Sequence, residues 1–314
     1  MKRIARSFAG AAAIAGLTLG LTACAEGGSN DKPADDGTIK IVASTSVWGS
    51  IAETATEDMD GATEVVTILS SKDDDPHEYE ATAQDLAELK TADVVVANGG
   101  GYDNWLTDNV TEGTPIVSAL PLAEGHDHDH DHGAEGHDHD HGAEGHDHGP
   151  INPHAWLDMD MVSHFGDHLA QQLNELNPEL PDRAPEVTKK AHELKERIAK
   201  LSGARVILTE SLATDVILDS DLEDVTPNSF ADAVAKEAEP SAADIATTRQ
   251  LIEQGKVDIL ITNTQSQTPA AETLIEAAKA KDIPVININE TPDPGQSYFD
   301  YADTFITELE KASK

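Results

Sequence analysis

The sequence predicts an α/β protein with two Rossmann-like lobes. Each lobe carries a parallel sheet, and a long helix joins them. Three observations predict the architecture. Short β-branched runs alternate with helical stretches, the pattern of parallel sheets covered on both faces. The alternation pauses at one low-complexity segment and one charged helical stretch, then restarts after Gly203. The length of 314 residues suits about two domains of roughly 100–200 residues each.

In the first lobe, Ile39–Ala43 reads as a strand, Val47–Thr56 as a helix and Thr63–Leu69 as a strand. Ala83–Lys90 is a helix. Asp93–Ala97 is a buried strand ending in Asn98-Gly99-Gly100-Gly101. A short helix around Asp103–Asn109 and a strand at Pro115–Ser118 follow. Asp158–Asn177 is a helix stopped by Pro178 and Pro181. Pro185–Leu201 is long, charged and mid-chain, which suits a linking helix spanning 181–202. The second lobe repeats the alternation with strands at Arg205–Leu208, Val257–Thr262 and Pro284–Ile288. Its helices are Leu212–Leu218, Ala242–Glu253, Ala270–Ala280 and Ser297–Lys311. The lobes are thus expected over 39–180 and 203–314. In open parallel sheets ligands gather at the carboxyl ends of strands, and two such ends can face each other across a cleft.

Two segments stand outside this pattern. Lys2, Arg3 and Arg6 precede an apolar, small-residue stretch from Phe8 to Leu21. It is too short and too rich in Ala and Gly to span a bilayer, and has the shape of a secretory signal. It ends Leu21-Thr22-Ala23-Cys24, which resembles a bacterial lipobox. The single cysteine of the chain then becomes a lipidated N-terminus, followed by a flexible tether over 25–38. The expected location is extracytoplasmic, lipid-anchored to the outer face of the cell membrane. The second segment, 121–150, holds nine His and nine Asp or Glu with almost no apolar residue. Such a composition cannot bury a core and reads as a disordered loop. Its histidines are His126, His128, His130, His132, His137, His139, His141, His146 and His148.

The formal net charge is −38. That excludes nucleic acid as a partner, because phosphates must be neutralised by Lys and Arg. It also argues against basic docking on anionic lipid, so the membrane is reached only through the anchor.

Outside the loop the chain has five histidines. His77 and His154 each follow a proline, which stiffens the backbone that carries the imidazole. Both sit in loops beside element ends. Glu210 and Glu290 lie just past the carboxyl ends of second-lobe strands, where a cleft ligand belongs. Two imidazoles and two carboxylates make a mixed N/O cation site suited to Zn²⁺, Mn²⁺ or Fe²⁺. His164 and His168 are one turn apart on a helix and read as a solvated face, since no HExxH acid accompanies them. His192, and the group Glu53, Glu57 and Asp58, read as solvated.

Six segments make the chain recognisable. They are Ile41–Ile51 (IVASTSVWGSI), Asp75–Glu80 (DPHEYE), Asn98–Leu106 (NGGGYDNWL), Asn152–Asp158 (NPHAWLD), Ala238–Ile245 (AEPSAADI) and Ile283–Tyr298 (IPVININETPDPGQSY). The chain resembles the substrate-binding lipoproteins of bacterial ABC importers for zinc and manganese from about Thr38 to its end. The resemblance implies a two-lobed fold with a rigid helix between the lobes and one metal in the cleft. It implies His77 and His154 as first-lobe ligands and Glu210 and Glu290 as second-lobe ligands. Zinc-type members usually place His where Glu210 stands, and Asp is usual where Glu290 stands.

The ligand set and the loop point to different metals. Hard oxygens tolerate Mn²⁺, whereas nine loop imidazoles favour Zn²⁺, which also ranks higher in the Irving–Williams order. Zinc is favoured, with manganese the alternative. The expected mechanism is capture and delivery: the loop concentrates metal, the cleft takes one ion, and a membrane permease receives it. Binding should weaken below the ~6.5 of free imidazole. No catalysis is implied, and a monomer is expected. Competing readings are an extracytoplasmic zinc buffer or metallochaperone, a metal-dependent hydrolase, and an adhesin. Four protein ligands leave a hydrolase no room for substrate, and nothing in these residues supports a receptor-binding surface.

Overall fold

A computed structural model describes residues 37–59, 61–72, 76–122, 152–236 and 238–313. The expected leader with Cys24, the expected tether up to residue 36 and the histidine-bearing stretch 123–150 lie outside the described residues. Among the described residues, no helix is long and apolar enough to cross a membrane.

The first sheet follows from β1 (Ile39–Thr45), α1 (Ser46–Ala55), β2 (Thr63–Leu69), α2 (Ala83–Leu89), β3 (Val94–Ala97), α3 (Asn104–Thr107) and β4 (Ile116–Ser118). Its strands are parallel, in the order β2-β1-β3-β4. Two helices follow, α4 (Met159–Leu176) and α5 (Ala184–Ile198). They pack so closely that a Cβ on Gly166 would fall 2.8 Å from Val187. The second sheet is built from β5 (Ser202–Leu208), α6 (Thr214–Leu218), β6 (Asp221–Asp224), α7 (Asn228–Val234), α8 (Ala242–Glu253), β7 (Ile259–Thr262), α9 (Pro269–Lys279), β8 (Val285–Asn287) and α10 (Tyr298–Ala312). It is also parallel, in the order β6-β5-β7-β8.

The central strands β1, β3, β5 and β7 are buried on both faces, with side chains alternating between two cores. Ile41, Ala43, Val94 and Val96 face a cluster that also holds residues of α1, α4, α5, β5, β7 and α10. Val42, Val95 and Ala97 face the opposite side, against Leu89 of α2 and Leu106 of α3. Ile207 and Leu260 do the same in the second sheet, against Phe230, Ile252 and Leu274. Each such fully buried Val, Ile or Leu side chain contributes about 1.5–3 kcal/mol. The shared cluster ties the two sheets together beneath the cleft. The C-terminal helix reinforces the tie: the Tyr298 backbone N–H donates to Ser50 Oγ at 2.9 Å, and the Tyr298 hydroxyl donates to the Trp156 carbonyl.

The sequence pattern misses β6 and α7. In β6 only Leu222 is buried, and in α7 only Phe230. An edge strand reading Asp-Leu-Glu-Asp carries its charges outward, which protects the edge and hides the strand from a hydrophobicity search.

Each sheet changes direction between two strands: β1 and β3 in the first, β5 and β7 in the second. The crevice outside those strand ends is where an open α/β sheet binds its ligand.

Candidate metal centre

His77 lies in the loop that follows β2, and its side chain is about one-fifth exposed at 21%. His154 lies just ahead of a single 3₁₀ turn, Ala155–Leu157, that leads into α4. The carboxylate of Asp158 accepts from the N–H groups of Asp160 and Met161, which fixes the start of α4 and so the turn before it. Trp156 is 1% exposed and anchors the turn in the core. His154 is 5% exposed and Glu290, beyond β8, 3% exposed.

These three residues meet. One ligand atom from each of His77, His154 and Glu290 lies within 4.8 Å of the others. His77 Nε2 is 3.2 Å from Glu290 Oε2, and the two imidazole centroids are 5.7 Å apart. The group lines a cleft of about 420 Å³ that Thr209, Ser211, Val234 and Pro240 also wall. Glu210 lines the same cleft but stands outside the three-residue group. His164 and His168 are exposed on α4. His192 is exposed on α5, 3.4 Å from Glu196. Glu53, Glu57 and Asp58 are exposed, and Asp58 pairs with Arg183 at 2.7 Å.

Four residues outside the expected ligand set organise the centre. Asn152 Oδ1 lies 2.9 Å from His154 Nδ1 and accepts from the His154 backbone N–H at 3.3 Å. A proton on Nδ1 leaves Nε2 to face a metal. Asn152 Nδ2 donates to Asp215 in the second lobe at 2.8 Å. Asn98, fully buried after β3, accepts from the Trp48 indole at 3.2 Å and donates to the Pro153 carbonyl at 2.8 Å. Its loop needs glycine: a Cβ on Gly99, at φ +76°, would lie 2.1 Å from the Leu120 carbonyl oxygen. Tyr102 donates to Glu290 Oε2 at 2.7 Å. Asn263, just past β7, donates to Glu210 Oε2 at 2.9 Å and to Glu290 Oε1 at 3.2 Å. Its Nδ2 also lies 2.8 Å from Ser266 Oγ, which donates to Glu210 Oε1 at 3.1 Å. The strand-end rule that selected Glu210 and Glu290 reaches Asn98, Tyr102 and Asn263 equally; only the preference for ionisable ligands passed over them.

The electrostatics separate the groups. Burial pushes His154 down to about 4, against the pull of the Glu290 charge. Burial pushes the Glu210 carboxyl up to about 7 and the Glu290 charge adds to it, while Asn263, Ser266 and His77 partly offset the rise. Burial would raise Glu290 too, but its bond to His77, the two imidazoles and Tyr102 outweigh that and hold it below the usual carboxylate range. The centre therefore presents a neutral imidazole beside an ionised carboxylate. That donor set fits a divalent transition metal.

The family model described as "Zinc-uptake complex component A periplasmic" matches residues 41–312. The manganese-binding lipoprotein MntA of Halalkalibacterium halodurans is 28% identical over 172 residues, covering 52% of this chain and 48% of that protein. The zinc-binding lipoprotein AdcA of Streptococcus pneumoniae is 26% identical over 279 residues, covering 83% and 51%. The chain thus spans about half the length of these curated relatives. The solved structure of the laminin-binding protein Lmb of Streptococcus agalactiae superposes with a TM-score of 0.65 at 16% identity, covering 88% of this chain and 100% of that one. At that identity the likeness is one of fold.

Proposed function

This chain belongs to the zinc-uptake complex component A family, and on that premise we propose that it is the substrate-binding component of an ABC importer. It captures one divalent transition metal ion in the cleft and passes it to a membrane permease. The observation that carries this reading is the convergence of His77, His154 and Glu290 on one point. Glu210 completes the ligand set by moving in from its contacts with Asn263 and Ser266. The metal is bound and released unchanged, so the protein is a carrier and not an enzyme.

Zinc is the favoured cargo. Two imidazoles and one or two carboxylates make an ordinary four-coordinate zinc site, and the His126–His148 stretch supplies further imidazoles that concentrate the same ion. Manganese is the alternative, favoured by the oxygen-rich second-lobe wall. Lipidation of Cys24 holds the carrier, as a monomer, on the outer face of the membrane. The two lobes span 39–180 and 203–314, and the 181–202 segment joins them.

The test is a competitive Zn²⁺/Mn²⁺ titration with elemental analysis, on the mature protein and on a variant lacking His126–His148. One tight zinc that survives the deletion and resists excess Mn²⁺ is expected. Zinc lost with the loop while the cleft keeps Mn²⁺ makes the protein a manganese carrier. Loss of all tight binding with the loop overturns the cleft site.

A further inference from the structure

Tyr102 is buried against the candidate ligands and does not line the cleft itself. It follows the glycine run after β3 and is 7% exposed. Its ring meets His77 edge-on at 5.0 Å between centroids and Trp156 at 5.3 Å. Its hydroxyl donates across the cleft to Glu290 Oε2 at 2.7 Å, and the same oxygen faces His77 Nε2 at 3.2 Å. The other oxygen, Oε1, is turned to Asn263 Nδ2 at 3.2 Å. Glu290 therefore shows His77 one oxygen, Oε2, while Oε1 is held by Asn263. Turning the carboxylate so that both oxygens face a metal would break the bond to Tyr102, to Asn263, or to both.

We propose that Tyr102, with Asn263, is a selectivity residue that clamps Glu290 as a one-oxygen ligand and so favours a four-coordinate ion over an octahedral one. Zinc is satisfied by four donors, whereas manganese gains from extra carboxylate and water oxygens. The clamp acts as an outer-shell constraint that restricts the donor count. A glutamate is long enough to span from its strand end to Tyr102, and an aspartate one methylene shorter loses that reach. The inference rests on the metal-carrier reading above.

The test compares Tyr102→Phe, Glu290→Asp and the double variant in zinc and manganese titrations on the full chain. Tyr102→Phe keeps the ring packing and removes only the hydroxyl. A hydrogen bond to a charged group is worth enough that the zinc-over-manganese ratio should fall about tenfold. X-ray absorption of the loaded variant should show additional oxygen neighbours around the metal. In the Glu290→Asp background the same hydroxyl removal should leave the ratio unchanged, because the tyrosine acts through the longer side chain. The proposal is overturned if Tyr102→Phe leaves the ratio intact, if it weakens both metals by one common factor, or if its effect persists in Glu290→Asp. Failure of the carrier reading itself looks different: His77→Ala in the otherwise unaltered chain would then leave metal binding untouched.

Discussion

The two walls of the cleft share a plan and differ in what they do with it. Each is the carboxyl edge of a parallel sheet with the same strand order. In each, an asparagine directly follows the third strand of its sheet in chain order: Asn98 after β3 and Asn263 after β7. Asn98 works inward, joining the Trp48 indole to the Pro153 carbonyl beside His154. Asn263 works outward, holding Glu210 and Glu290 with one amide nitrogen. The difference follows from charge. A neutral imidazole needs only a fixed backbone to stay aimed. Two carboxylates facing one cleft repel, and a shared donor holds them in place. One position in the fold thus gives rigidity on the imidazole side and controls charge on the carboxylate side.

The largest expected effect removes that contrast altogether. His154→Ala and Glu290→Ala each take away a proposed ligand, so both should weaken metal binding on the order of a thousandfold or more. Isothermal titration checks this, and a surviving tight site in either variant would place the metal elsewhere. The asparagines sharpen the comparison next. Asn98→Ala orphans a buried indole N–H and a buried carbonyl, at a cost of about 2–4 kcal/mol in urea unfolding of the metal-free protein. Asn263→Ala should cost less in unfolding than Asn98→Ala, because Glu210 can take up a proton, and should weaken metal binding about 10- to 100-fold. If the two variants shifted stability and affinity alike, the division of labour between the walls would be lost.

How much of this was legible in the sequence also divides along the cleft. The strands were readable because β1, β3, β5 and β7 each hold a short apolar run buried on both faces, Ile41–Ala43, Val94–Ala97, Val206–Leu208 and Ile259–Ile261. The acidic edge strand β6 was not, since one buried leucine sets no periodicity. His77 and His154 stood out because few histidines lie outside the loop and each of these follows a proline. Glu290 was reached through its strand end, and the structure joins it to both imidazoles. Glu210 was reached in the same way, yet Asn263 and Ser266 hold it outside the three-residue group. Such neighbours come from β7 and its loop, more than fifty residues away in the chain, so no local pattern signals them. Asn98, Asn152, Tyr102 and Asn263 are uncharged, and a search for ionisable ligands has no reason to stop at them.

The last and smallest effect concerns protons. Free imidazole would make binding fail below about pH 6.5, but burial has already carried His154 down to about 4. The group that titrates near neutrality is Glu210, at about 7. Metal binding needs the carboxylate, so at pH 7 loading should release about half a proton from Glu210, and affinity should decline below pH 7. Calorimetry in buffers of different ionisation enthalpy measures that release, and Glu210→Gln should remove it. The metal-free protein gives the complementary sign. His154 is lowered below its unfolded value, so its contribution to stability is complete above about pH 6.5 and is lost as pH falls toward 4. Glu210 is raised, so its contribution is complete below the ordinary carboxylate range and is lost as pH rises through 7. The two walls therefore oppose each other between about pH 5 and 6.5, and Glu210→Gln should leave only the rise due to His154. A wild-type profile that fell steeply with acid across that window would mean that Glu210 is already ionised in the metal-free protein.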